Sequence, residues 1–182
     1  IHINVPQVPH SSYWLSMQSS SASEKRRAQI WLEYLLWLAY LNDDARSPEL
    51  ERIVIFSNKT LKFSGLSSSK AHEYLQLWLK AWEIGQQQPL VLPAELLMKK
   101  EWQWAENEQS KMTIVEMPEL LKAWNNSYES AKPLASDESS LLHQDWQFIL
   151  QDQDPDLALQ NCCHDFAHGL YAPIHQHLEW VK

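Results

Sequence analysis

The sequence predicts a mixed α/β (α+β) fold, in which a small mixed sheet is flanked by helices and followed by a helical C-terminal part. Three observations predict it. Short β-rich runs occupy the first third of the chain, and two long helical patterns separate them. After residue 92 only helical patterns follow. The whole chain has only three glycines, which argues against glycine-rich phosphate-binding loops.

Four short runs predict strands. Residues 1–8 alternate apolar and polar side chains, and Pro6 and Pro9 end the run because proline has no N–H for a ladder. Residues 13–18 are rich in aromatic and apolar side chains and predict a second strand. Residues 52–56 and 61–63 flank a Ser-Asn-Lys turn, so we expect them to form a hairpin.

Helices are predicted from apolar spacing and from capping residues. Residues 24–41 are apolar around much of the helix, which indicates a buried helix. A second helix is expected after the serines at 67–69 and ends near Gly85. Further helices are predicted over residues 94–108, 119–130, 139–151 and 156–171.

Composition and charge divide the chain unevenly. We expect residues 1–92 to form the α/β core and residues 93–182 a helical extension packed on the same domain. Residues 1–100 carry 11 Lys and Arg against 9 Asp and Glu, whereas residues 101–182 carry 4 against 14. An acidic second half repels phosphates, so any DNA contact is expected from the first half or from another subunit.

The cysteines and the termini indicate the compartment. The two cysteines are adjacent, at Cys162 and Cys163, which is not a disulfide framework and favours a reducing cytoplasm. No signal peptide and no membrane-spanning apolar run are seen, so no membrane partner is expected. The chain begins at Ile1 without Met, which is typical of a segment of a longer polypeptide.

Three stretches carry a family resemblance. The segments are Tyr13–Ser16 with Glu24–Leu35, then Ala71–Trp82 with the Pro-Leu-x-x-Pro segment that follows, and finally Phe166–Ile174. Together they resemble the C-terminal domain of RecC, the gamma subunit of exodeoxyribonuclease V. Their order and spacing, spread over nearly the whole chain, carry the resemblance, since none is a chemical signature alone.

The resemblance implies a restriction-endonuclease-like fold of the PD-(D/E)xK type. In an active member, an Asp on one strand and an acid on the next hold Mg²⁺, and a Lys two residues later assists the attacking water. Laid on that pattern, the three positions fall on Asn4, Ser16 and Gln18, which are all neutral. Residues 1–19 contain no Asp, Glu, Lys or Arg, so a shifted register does not restore the motif. We therefore expect a degenerate nuclease core without catalytic activity of its own, and no metal or cofactor.

The resemblance also implies a place in the helicase–nuclease that processes double-strand breaks for recombination. Partners would be RecB-type and RecD-type subunits, with DNA inside the complex. The expected role is subunit assembly and guidance of DNA strands. Basic residues of the less acidic half are the candidate DNA contacts: Lys25, Arg26, Arg27, Lys59 and Lys62.

Two alternatives remain open from the residues themselves. His164 and His168 stand four residues apart, next to the two cysteines, and imitate a zinc-binding helix, which would make the chain a stand-alone metalloenzyme. A third ligand has no clear spacing, however, and buried cysteines are often simply packed. The other alternative is a generic α-rich interaction module. Tryptophans such as Trp180 are expected in packing or protein interfaces rather than on bases, because acidic residues such as Glu179 adjoin them.

Overall fold

The computed structural model describes residues 12–41, 45–106, 111–129, 146, 148–150 and 153–181. The chain divides into two compact units. Unit 1 comprises residues 1–80 and 169–182, and unit 2 comprises residues 81–168.

Strands and helices are interspersed along the chain. The strands are β1 Tyr13–Met17, β2 Glu51–Ile55, β3 Thr60–Phe63, β4 Trp104–Glu106, β5 Met112–Ile114 and β6 Leu178–Val181. The α-helices are α1 Glu24–Leu41, α2 Ser68–Gly85, α3 Ala94–Leu97, α4 Met117–Glu129, α5 Pro155–Cys162 and α6 His168–His177. A 3₁₀ turn spans Ser47–Glu49, and a π-helical turn spans Cys163–Ala167 between α5 and α6.

Unit 1 is built on a four-stranded mixed sheet in the order β1-β2-β3-β6. Strands β1 and β2 are parallel, and α1 connects them as a crossover, whereas β2, β3 and β6 pair antiparallel. Alternate side chains of β2 and β3 are buried, so one face of the sheet covers the core. The mixed sheet with flanking helices confirms the predicted α/β class.

The core of unit 1 lies between that sheet face and helix α1. Trp31 is fully buried at its centre and contacts the rings of Tyr34, Phe63, Tyr74 and His177 at centroid distances of 5.3–6.0 Å. Aromatic rings at these separations add stabilisation beyond simple burial. The expectation that the 24–41 helix is buried is confirmed, since seven of its residues are inaccessible.

Unit 2 contains a small antiparallel hairpin and several helices. Strands β4 and β5 pair with each other. Asp154 caps the start of helix α5, and its carboxylate accepts hydrogen bonds from the N–H groups of Asp156 and Leu157. Trp124 is buried in this unit, and its ring meets that of Trp146 edge-on at 6.2 Å.

Several secondary-structure predictions need correction, and others are confirmed. The helix predicted over 94–108 is wrong beyond Leu97, because residues 104–106 pair with β5 instead. Trp102 and Trp104 stand two residues apart on the more buried side of this segment, which is the strand period. A further strand, β6, follows the last helix, so the second half is not purely helical. The predicted helices at 24–41 and 67–85 are confirmed, as are the second strand and the hairpin.

The predicted helix over 156–171 is present but is interrupted and extends further. It becomes α5, a π-helical turn and then α6, which continues to His177 with Pro173 inside it. The strand predicted at 1–8 lies outside the described residues, as does most of the helix predicted at 139–151. Within the part of the chain that the structure describes, no helix combines the length and apolar character needed to cross a bilayer.

Candidate functional site

Strand β1 carries Ser16, one of the three positions at which the nuclease pattern was expected, and Gln18, the second, directly follows the end of the strand at Met17. Its residues Trp14 and Ser16 are half-buried and alternate with the exposed Tyr13, Leu15 and Met17. The parallel register sets Trp14 opposite Arg52 on β2. Ser16 therefore points to the sheet face that is covered by helix α1. Asn4, the third position, lies outside the described residues.

The buried side chain of Arg52 lies next to Ser16. Nη1 of Arg52 donates to Ser16 Oγ at 2.9 Å, to Trp14 O at 3.3 Å and to Ile53 O at 3.0 Å. Its Nη2 donates to Glu33 Oε2 on α1 at 2.9 Å. Only 2% of the arginine is exposed. The cation is thus fixed between two strands and a helix by directional hydrogen bonds.

Arg52 remains charged in this position. Burial lowers the pKa of Arg52, while the hydrogen bond to Glu33 and its charge oppose that change. The guanidinium also lies 4.0 Å from the centroid of the Trp14 ring, a cation–π contact. Since an arginine does not lose its proton in a protein, Glu33 is matched by one fixed positive charge.

Gln18, where the pattern has a Lys, is also bound to an arginine. Its Oε1 accepts from Arg26 Nε at 2.6 Å, and its backbone N–H donates to Ile55 O at 2.8 Å. Arg26 Nη1 in turn donates to Gln29 Oε1 at 2.6 Å. Both described positions of the expected motif are therefore neutral side chains that accept hydrogen bonds from guanidinium groups.

This arrangement is poorly suited to a divalent cation. Mg²⁺ is held by carboxylates and other hard oxygen ligands. Arg52 donates to the hydroxyl of Ser16 and to the carboxylate of Glu33. That carboxylate is already paired with the guanidinium group. The described residues contain no group of three or more His, Cys, Asp or Glu placed to hold a metal ion. Sequence reasoning missed Arg52 and Glu33, although Glu33 is the one charged residue among residues 28–41.

The five basic candidates all belong to unit 1, but their surroundings differ. Lys62 is engaged by Glu179 at 2.9 Å and by Glu51 at 3.3 Å, and these bonds raise the pKa of Lys62. Arg27 is largely buried and pairs with Glu24 at 2.8 Å. Lys25 and Lys59 are exposed, and Arg26 is half-buried.

Trp180 on β6 brings two of these basic residues together. Lys59 Nζ lies 4.8 Å from the centroid of its ring, and Arg27 Cζ lies 5.7 Å from it. Trp180 was not expected to stack on bases because the acidic Glu179 adjoins it in the sequence. In the sheet, however, Glu179 pairs opposite Lys62, whereas Trp180 pairs opposite Leu61. The acidic neighbour therefore points to the other face of the sheet. The apolar–polar–apolar alternation of residues 178–180 was the signal that could have shown this.

The residues proposed for a zinc helix have other partners. His164 Nε2 lies 3.1 Å from Thr113 Oγ1, and the His168 ring lies edge-on to Trp104 with centroids 5.0 Å apart. Burial lowers the pKa of His168 and raises the pKa of Cys163 to about 12, so the thiol is protonated at neutral pH. Cys162 Sγ accepts from the N–H of Val91 at 3.2 Å. These contacts are those of packed side chains.

Comparison with known proteins adds one family. A protein-family model described as the RecC C-terminal domain matches residues 2–109, which include β1, α1, β2, β3, α2 and both arginine-bound positions. No curated protein matches the chain.

Proposed function

The chain belongs to the RecC C-terminal domain family, whose members are parts of exodeoxyribonuclease V, and from that membership we propose a non-catalytic role in assembly and DNA guidance. The family ties the chain to DNA repair by recombination and to a complex with other subunits and DNA. The finer proposal is that this domain helps to hold RecB-type and RecD-type subunits. It also helps to direct DNA strands through the complex.

We propose further that residues 1–92 form a degenerate restriction-endonuclease-like core and that residues 93–182 extend it. The β1–α1–β2 crossover supports the first part, because it sets Ser16 on a strand of a mixed sheet and Gln18 directly after that strand. In the expected pattern the acid and the Lys stand on one strand, two residues apart. Here those positions hold Ser16, on β1, and Gln18, directly after it.

The single observation that carries the non-catalytic role is the hydrogen bond from Arg52 to Ser16. A nuclease would need an anion there to attract Mg²⁺. The chain instead keeps a buried guanidinium 2.9 Å from a hydroxyl and balances it with Glu33. A resident cation in this place repels a second one, and the low local dielectric strengthens that repulsion.

The outer face of the unit 1 sheet supports a role in subunit assembly. Tyr13, Leu15 and Met17 of β1 are 52%, 49% and 77% exposed and line one face. The register places Leu15 beside Ile53 and Met17 beside Ile55 on the neighbouring strand. A contiguous apolar patch of this kind is typical of a protein-interaction surface.

The assembly role is tested by co-purification with RecB and with RecD, each alone, on a sizing column. We expect a stoichiometric complex with at least one of them. Leu15→Glu should weaken that complex, because it places a charge in the apolar face. Leu79→Glu is the matched control, since Leu79 is 58% exposed on helix α2. Failure of the unmodified chain to bind either subunit would contradict the assembly role.

The non-catalytic role has its own assay. The purified chain is incubated with labelled single-stranded and duplex DNA in the presence of Mg²⁺ or Mn²⁺. We expect no cleavage above that of a buffer blank. Cleavage that co-elutes with the chain and stops on chelation of the metal would refute the proposal, whatever the outcome of the co-purification.

A further inference from the structure

One end of the unit 1 sheet forms a groove that combines an exposed indole with the ammonium group of Lys59. Trp180 is 38% exposed. Beside it lies an open groove of about 610 Å³. Its lining consists of Phe56, Asn58, Lys59, Thr60, Trp180 and Val181.

Two acidic residues, one next to Trp180 in the chain and one in the first turn of α1, are each paired with a cation. Glu179 lies on the sheet face opposite to Trp180, which is also the face of Thr60 and Val181, and it binds Lys62 at 2.9 Å. Glu24 binds Arg27 at 2.8 Å. Lys59, by contrast, forms no ion pair with any residue that the structure describes, and its exposed chain contacts the Trp180 ring. The residues that line the groove carry one charge, the cation of Lys59, although the chain as a whole carries −8.

The start of helix α1 lies next to the same groove. The N–H of Ala22 donates to Asn58 Oδ1 at 3.3 Å, and the N–H of Ser57 donates to Ser20 O at 3.3 Å. The turn that carries Lys59 is thus tied to the segment leading into α1. A helix N-terminus has a positive partial charge, and the exposed Lys25 in the first turn adds to it.

We propose that this groove binds one unstacked base of a single DNA strand on the Trp180 ring, with Lys59 holding an adjacent phosphate. The inference rests on the proposed function and specifies its DNA-guiding surface. A base within a duplex is stacked on both sides and does not reach an indole ring, whereas a base of a single strand does. Lys59 is long and exposed, so it can leave the ring when a base stacks there and meet the phosphate beside it.

The energetics fit a site for one base with little sequence preference. Stacking of a base on an aromatic side chain is sequence-tolerant, because every base has a π-face. The polar groups in the groove are few, and Asn58 is already engaged by Ala22. The groove therefore offers stacking and charge rather than a pattern of donors and acceptors that would read base edges.

The test is fluorescence anisotropy of a labelled oligothymidine of about ten nucleotides, within the span of one single-strand binding site, at low ionic strength. Trp180→Ala should weaken binding about tenfold, as expected for loss of one stacked base. Trp180→Phe should restore most of the affinity, because it keeps an aromatic face. Trp82→Ala is the matched control, since Trp82 is 63% exposed elsewhere, and it should leave the affinity unchanged.

The charge contribution is measured separately. Lys59→Gln should weaken binding a few-fold and reduce the slope of log affinity against log salt concentration by about 0.7, the value for one phosphate contact on a single strand. Lys80→Gln, at another exposed lysine, should change neither quantity. Melting curves of all variants confirm that each remains folded.

Failure of this inference is distinguishable from failure of the proposed function. Equal affinities for the unmodified chain, Trp180→Ala and Trp82→Ala would overturn the inference, as would absence of any binding by the unmodified chain. So would a Trp180→Ala variant that loses RecB or RecD while its DNA affinity is unchanged, since the groove would then bind protein. In each case, the co-purification of the unmodified chain still decides the assembly role independently.

Discussion

The guanidinium of Arg52 lies 4.0 Å from the centroid of the Trp14 ring, so strand β2 holds its buried cation against strand β1. The same group is paired with Glu33 on helix α1. Three elements of unit 1 are thereby joined at one side chain. Its removal should consequently affect folding more than the loss of a surface charge.

Arg52→Met is expected to lower the free energy of unfolding by about 3 kcal/mol, because it leaves Glu33 partly buried without its partner. Urea denaturation measures this loss. The surface pair Lys70 and Glu73 supplies the control, and Lys70→Met should change stability little. The combined change of Arg52 and Glu33 to Met should cost less than the sum of the single changes. Strict additivity would show that the two groups are not coupled.

Replacing Arg52 by a neutral residue and Ser16 by Asp should create a binding site for a divalent cation. Ser16→Asp alone is expected to give no Mg²⁺ response, because the new carboxylate pairs with Arg52. Ser16→Asp combined with Arg52→Gln leaves two carboxylates facing each other, and Mg²⁺ should then stabilise the chain. At ten times the dissociation constant, the gain is roughly 1.4 kcal/mol. Thermal melts with and without Mg²⁺ test this, and a response of Ser16→Asp alone would contradict it.

The stability of unit 1 should depend on pH through His177. Its ring stacks on Trp31 with centroids 5.7 Å apart, and its Nδ1 lies 3.0 Å from Ser64 O. Burial lowers the pKa of His177, and the hydrogen bond to Ser64 only partly opposes this. The unfolded chain therefore binds a proton more readily than the folded chain does. This contribution to stability is fully present above about pH 6.5 and is lost as the pH falls through the folded value.

His177→Asn tests that dependence, since an amide keeps an N–H donor but does not titrate. The difference in unfolding free energy between the unmodified chain and this variant should shift in favour of the variant as the pH falls below neutrality. Other titrating groups are common to both proteins and cancel in the difference. A difference that is constant with pH would show that His177 is not responsible.

The two cysteines should be unreactive in the native chain. Both are buried, and burial raises the pKa of Cys163 to about 12 and also raises that of Cys162. A thiol reacts through its thiolate, so modification by a disulfide reagent near pH 8 should be slow until the chain is unfolded in urea. Two thiols should then be titrated. In Cys162→Ala one should be titrated, and rapid reaction of native Cys162→Ala would contradict the burial of Cys163.

Local patterns in the sequence predicted much of unit 1. The spacing of apolar residues predicted α1 to its ends, and the serines before α2 predicted its start, where Ser67 Oγ accepts from the N–H of Lys70 at 3.2 Å. The spacing of apolar residues gave a wrong prediction after Leu97. A short segment with two tryptophans is compatible with a helix or with a strand until its pairing partner is known. In the hairpin, β5 supplies that partner and decides the outcome.

The sequence by itself determined that Ser16 and Gln18 are neutral, and it placed them on a strand before a buried helix. Only the tertiary structure decided what faces them. Arg52 and Arg26 reach these positions through the parallel pairing of β1 with β2 and through the first turn of α1. Likewise Lys59 and Trp180 meet because β3 pairs with β6. Periodicity reports only on neighbours within a turn or a strand, whereas sheet pairing brings together residues that are distant in the chain.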